Sequence, residues 1–402
     1  MIKNIPQKWR MLSGQNNWKG LLNPLDADLR RYILHYGARA QATYDTFNSE
    51  KTSKFAGTSR YARRNLFSRV GLEKGNPFKY EPVKYIYATS KIGVSESFIV
   101  KSLSDEAWCA DSNWMGYVAV ATDEGKLALG RRDILVAWRG TIMFGEWVKD
   151  FDFPLVPAST IVGNAADDAK VHKGVLSIYT SDDPSSKFSN TSARDQVIAE
   201  VKKQVEKYKD EDISITITGH SLGAALSTLN AADIVAHGHN IPSNQPNNPC
   251  PVTAFVFGSP RVGDLGFKEN TESMKNLHIL SVCNAPDIVH WLPPILEYTQ
   301  VGVELMVDSR KSPYLNYPGD MKSWHNLEAA YLHGVGGIEG SGEGFGVEVE
   351  RDIALVNKSS SALKEKYLVP SSWWCPLNKG MVQKNNGFWV LRDHEKDDGN
   401  GD

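Results

Sequence analysis

Residues 213–234 read ISITITGHSLGAALSTLNAADI. The first six residues alternate Ile with Ser or Thr, the pattern of a strand. The last eleven are rich in Ala and Leu, which favour helix. Between them stands Gly219-His220-Ser221-Leu222-Gly223, a Gly-x-Ser-x-Gly turn from strand to helix. Such a turn is too sharp for side chains two residues either side of the serine. It lifts the serine over the carboxyl end of the sheet and aims the N–H groups of the next helix at the space beside it. The context predicts Ser221 as a nucleophile, with Gly219 and Gly223 shaping the elbow and the Leu222 amide as an oxyanion donor. The plain alternative is a chance turn, since five-residue matches are common; the flanking strand and helix argue against it.

Other segments extend the same architecture. Val83–Ala88, Trp114–Val120, Ile134–Trp138, Val252–Phe257, Leu277–Val282 and Val301–Val307 read as strands, and Ile134–Trp138 is apolar throughout, as in a strand buried on both faces. Residues 193–209 read as a helix capped by Thr191 or Ser192. Leu25, Leu29, Ile33 and Tyr36 recur at helical spacing, Ala40 and Tyr44 continue that face, and Asp26 lies near its start. Strands alternating with helices predict an α/β fold, with a mostly parallel sheet covered on both faces. The expected organisation is an N-terminal helical and irregular extension over residues 1–82 that packs on the core. A core follows over 83–333, then a flexible glycine-rich loop over 334–346, a C-terminal extension with three tryptophans over 347–392, and a disordered tail over 393–402.

Composition narrows the function. With 41% hydrophobic and 23% charged residues, the 402-residue chain has ample material for a core. Lys plus Arg number 45 against 47 acids, for a net charge of -2, which argues against a generally basic nucleic-acid binder. Cys109, Cys250, Cys283 and Cys375 form no C-x-x-C pair and read as reduced thiols. The N-terminal stretch has no apolar leader pattern, so a cytosolic location is expected.

A serine needs a histidine base oriented by a carboxylate, and in this type of sheet the order is Ser, acid, His. Asp287 follows the strand that ends at Val282, at the sheet edge where the elbow stands; Asp264 is the rival and reads as a cap of a loop or of the next helix. Among His290, His325 and His333, placement favours His325, which follows a polar loop and opens a helix.

Several motifs occur in order along the chain: Trp138-Arg139-Gly140-Thr141 followed by Trp147 and Asp150; Val171-His172-Lys173-Gly174 followed by Tyr179; Gly219 to Ala225; Phe257-Gly258-Ser259-Pro260-Arg261-Val262-Gly263; Asn284-Ala285-Pro286-Asp287; and His325 to Leu332. With these the chain resembles the class 3 lipases, and within them the plant phospholipase A1 group without a transit peptide, over nearly its whole length. The resemblance implies an α/β-hydrolase fold, a Ser221–Asp287–His325 triad, and Thr141 as the second oxyanion donor. It also implies a short lid beginning at Ile142, where Met143 and Phe144 would touch an acyl chain or a lipid surface, or else pack within the loop. The implied reaction is hydrolysis of glycerolipid esters through an acyl-enzyme, foremost the sn-1 ester of phospholipids. No metal or organic cofactor is needed, and the partners are a lipid substrate and a transient membrane or micelle surface. A mono- or diacylglycerol lipase with the same triad, a non-catalytic lipase-like scaffold and a serine peptidase are the competing readings. The intact triad opposes the scaffold, and Arg139-Gly140-Thr141 opposes the peptidase.

Overall fold

In the computed structural model the described residues are 4–92, 99–109, 112–141, 154–163, 168–316, 319–339, 345–347, 349, 351–375 and 378–392. Their centre is a seven-stranded sheet of β1 (Tyr80–Ala88), β2 (Asn113–Ala121), β3 (Arg132–Trp138), β4 (Ile213–His220), β5 (Val252–Phe257), β6 (Leu277–Asn284) and β7 (Val303–Val307), lying side by side in that order. β1 and β2 run antiparallel to their neighbours, while β3 to β7 are parallel. This is the mostly parallel α/β-hydrolase sheet the sequence predicts.

Burial on both faces explains the apolar strands. Along β3, Ile134, Val136 and Trp138 face one core, and Leu135 and Ala137 face the other. The first core is closed by α3 (Lys173–Thr180), α4 (Ala193–Lys207) and α5 (Leu222–Ala236). The second is closed by α1 (Ile5–Leu12) and α2 (Ala27–Thr46). Asp26 caps α2 by accepting from the amides of Asp28 and Leu29, so Leu25 sits just ahead of the helix rather than on it. Ser192 caps α4. On α2, Tyr36 stacks on Phe255 of β5 with ring centroids 5.0 Å apart. Among the described residues no helix is long and apolar enough to cross a bilayer.

One segment departs from the sequence reading. The glycine run from 334 was expected to be a flexible loop. Instead, His333–Gly336 forms a helical turn and Gly337–Glu339 pairs with Phe345–Val347 as a short antiparallel ribbon. The cause is tertiary: Arg30 of α2 donates to the carbonyls of Val335 and Gly337, and a side chain at Gly334 would press on Val307 of β7 at 3.1 Å. Gly334 thus serves close packing. The four cysteines are free thiols, three of them buried. The tail at 393–402 lies outside the described residues.

Candidate active site

The elbow is built by steric exclusion. A Cβ at Gly219 would fall 2.2 Å from the carbonyl oxygen of Gly223, and one at Gly223 would fall 2.4 Å from that of Trp138. Ser221 adopts φ 60° and ψ -128°, a backbone region that non-glycine residues rarely enter. Its N–H is tied to the carbonyl of Phe257 at 2.9 Å, and its carbonyl already receives the amides of Ala224 and Ala225. Its side chain is buried, and Oγ makes no hydrogen bond to another described residue. The strained serine therefore opens α5, whose first amides face the space around Oγ.

The parallel register sets the neighbouring parts. Trp138 of β3 lies opposite Gly219 of β4, so Thr141 and Ser221 emerge at the same edge from adjacent strands, about 4.8 Å apart. Arg139 fixes the bend between them. Fully buried, it donates to the carbonyls of Trp114 and Gly140 at 3.0 and 2.9 Å and lies 3.8 Å over the Phe47 ring. Burial pulls its pKa down to about 10, which leaves it cationic near neutrality. Gly140 must be glycine because a Cβ there would fall 2.4 Å from the carbonyl oxygen of His220 and 2.1 Å from the Tyr44 hydroxyl. That hydroxyl also makes a 2.7 Å hydrogen bond with His220 Nδ1. Burial lowers the His220 pKa well below its ordinary value, so this ring is neutral. It lies against His325 with ring centroids 4.5 Å apart.

The candidate acid and base arrive from separate elements. Asp287 follows β6, and His325 follows the short helix Met321–Trp324. His325 Nδ1 and Asp287 Oδ2 are 2.6 Å apart, and both side chains are almost wholly buried. Oδ2 also accepts the hydroxyl of Tyr331, while Oδ1 accepts the Val289 amide at 3.0 Å. Burial pushes the Asp287 carboxyl up. The adjacent His325 and the donors from His325, Tyr331 and Val289 outweigh it and hold the group below the usual carboxylate value. Asn284, at the end of β6, binds the Trp324 carbonyl and the Ser309 hydroxyl, and so ties the His325 loop to the Asp287 loop. Gly258 has φ +53° and would, with a Cβ, crowd the Tyr331 hydroxyl at 2.7 Å and His325 Cε1 at 3.2 Å.

The rival residues lie elsewhere. Asp264 caps the helix α6 (Leu265–Ser273) by accepting from Phe267. His290 is buried on a 3-10 turn against Trp291. His333 is bonded to the Ser312 hydroxyl at 2.6 Å. Met143 and Phe144, expected at a lid, and Trp147 and Asp150 lie outside the described residues. Sequence reasoning missed the supporting roles of Tyr44, Tyr331 and Asn284, although all three stood in segments it had marked. The motif His172…Tyr179 braces the helix behind the serine. His172 Nδ1 caps α3, and the Tyr179 hydroxyl donates to Asp233 of α5, which Arg194 grips through both oxygens. Asp233, His237 and His239 are the one group among the described residues with metal-ligand spacing. A cation there would have to displace the Arg194 guanidinium.

Comparison with known proteins matches this sequence to a family. The family model for Lipase (class 3) matches residues 135–297. Phospholipase A1-IIgamma of Arabidopsis thaliana is 53% identical over 401 residues, covering 99% of this chain and 95% of that one. The chain belongs to the class 3 lipases, in their plant phospholipase A1 group. Phospholipase A1-II 1 of Oryza sativa subsp. indica is 52% identical over 99% of this lipase and 98% of its own length. Among solved structures, the nonglycosylated Yarrowia lipolytica LIP2 lipase has a TM-score of 0.47 and 18% identity, covering 71% of this chain and 81% of that one. The protein is a serine acyl hydrolase that cleaves carboxylic esters.

Proposed function

We propose that this lipase is a phospholipase A1 that works through an acyl-enzyme formed on Ser221. His325 takes the Ser221 proton as Oγ attacks the sn-1 carbonyl carbon. The amides of Leu222 and Thr141 bind the resulting oxyanion, and Asp287 holds the imidazole in the right tautomer and steadies its charge. His325 returns the proton to the departing glycerol oxygen, leaving an acyl-serine and a lysophospholipid. Water, deprotonated by the same histidine, then attacks the acyl-serine and releases the fatty acid.

One observation carries this reading: the strained Ser221 at the head of α5 follows His220, whose ring packs at 4.5 Å on His325 of the buried His325–Asp287 pair. The names of relatives at 53% and 52% identity support the substrate class. We further propose that it meets its substrate at a membrane or micelle surface, in the cytosol. Four free thiols suit that reducing compartment; a fluorescent fusion found in the secretory pathway would oppose it.

The test is to give the protein and its Ser221→Ala variant phosphatidylcholine with distinguishable sn-1 and sn-2 chains, beside mono- and diacylglycerols. Release of the sn-1 acid by the parent and not by the variant is expected. Preferred cleavage of the neutral glycerides would instead make it an acylglycerol lipase, and equal release by the variant would remove Ser221 from the mechanism.

A further inference from the structure

The loop after Asp287 exposes large apolar side chains where a core residue would be expected. Ile288, Trp291 and Leu296 are 38%, 57% and 100% exposed. The loop continues directly from the C-terminal end of β6, so it stands at the sheet edge that carries Ser221.

A second patch lies at the same edge. β2 runs antiparallel to β3, with Gly116 opposite Trp138, so the segment entering β2 is on the active-site side. Leu103 and Trp108 of that segment are 74% and 50% exposed. They are bonded through their amides to Lys51 and Lys54, and the exposed Phe55 lies 6.1 Å from Trp108. Lys187 sits over the Trp108 ring at 3.5 Å. β2 and β6 are four strands apart, about 19 Å, and the strand bearing the nucleophile lies midway between them.

We propose that these two patches are the lipid-docking face of the enzyme, a pair of anchors set either side of the nucleophile. The inference rests on the lipid-substrate reading above. Two separate apolar patches on one edge fit a broad, continuous apolar partner better than a single peptide or groove ligand. Tryptophans suit the boundary between acyl chains and headgroups, because the ring is apolar and its N–H is polar. The charge nearby is mixed. Lys187 sits on Trp108 of the first patch and Arg261 lies 5.4 Å from the Trp291 ring of the second, while Lys54 is paired with Glu106 at 3.4 Å. The face therefore binds lipid through apolar insertion and does not depend on anionic headgroups.

The test uses the full chain as Ser221→Ala, so that vesicles stay intact, in flotation with phosphatidylcholine vesicles with and without phosphatidylglycerol. Two variants, Trp291→Ser/Leu296→Ser and Leu103→Ser/Trp108→Ser, are each expected to lower the vesicle partition coefficient at least tenfold without moving the melting midpoint. Restored to Ser221, each is expected to lose at least ten times more activity on vesicles than on a dissolved short-chain ester. Failure of the Ser221→Ala chain to bind either vesicle, or binding by both variants at the parent level, overturns the proposal. So does sedimentation showing a dimer that the substitutions dissociate, since a second copy would then be the occupant. An enzyme that binds vesicles through these patches yet releases no fatty acid would leave the docking face standing and remove the phospholipase reading.

Discussion

Tyr331 donates its hydroxyl to the Asp287 oxygen that faces His325, so its effect on the reaction passes through the acid. Replacing it with phenylalanine removes one charge-assisted bond and leaves the ring in place. The expected result is a fall of about tenfold in kcat with KM nearly unchanged. Its second signature is in the pH profile. The hydroxyl helps hold the Asp287 pKa down, so losing it raises that pKa and moves the acidic limb of kcat/KM to higher pH. A purely structural role for Tyr331 would lower the melting midpoint and leave the limb where it was. The residue was hard to read from sequence for a geometric reason. Leu327–Leu332 is a π-helix with i→i+5 bonding, which shifts side chains out of the 3.6-residue phase that pattern reading assumes. Ser221, in contrast, was legible because the glycines that its turn demands are themselves visible in the sequence.

At the scale of elements, α2 and the C-terminal extension are joined by a buried ion pair. Lys358 Nζ lies 2.5 Å from Asp45 Oδ2, and Gln41 and the Trp374 indole also donate to Asp45, through its side chain and carbonyl. Burial raises the Asp45 carboxyl pKa, and Lys358 pulls against it. Lys358→Met strands a buried carboxylate and is expected to cost about 3–5 kcal/mol in urea unfolding. Asp45→Asn/Lys358→Met should recover most of that, and a double variant no better than the single would discount the pair. Elements of this kind divide by what made them legible. β3, β4, β5 and β6 were readable because burial on both faces writes a continuous or alternating apolar run. The pairing of residues 337–339 with 345–347 was not, because its first strand is held by Arg30, some three hundred residues away. Nor was the start of β3. Asp133 is wholly buried and accepts from Ser214, Thr216, Tyr36 and Tyr80, partners that only the folded chain brings together.

For the molecule as a whole, buried histidines set the response to acid. Burial lowers the pKa of His333 from 6.5 to about 4, and those of His35 and His220 well below the ordinary value. The unfolded chain binds these protons near pH 6.5 and the folded chain does not. Stability is therefore fully present above about pH 6.5 and is lost as pH falls towards 4. His333 alone accounts for a loss on the order of 3 kcal/mol across that window. Melting midpoints should fall with acidification, and His333→Asn should flatten the fall; an unchanged slope would mean that His333 takes up its proton without opening the fold.

Tyr44 sets a limit on how this enzyme can be taken apart. It belongs to α2, far upstream of residues 135–297, where the shared family pattern is concentrated, yet its hydroxyl packs on Gly140 and holds His220. The catalytic parts are thus not a portable cassette. A graft of Ser221, Asp287 and His325 onto another lipase scaffold would carry the proposed reacting groups and leave behind the side chain that packs on Gly140 and holds His220. Protein engineers building chimaeras from this chain should cut no closer than the start of α2.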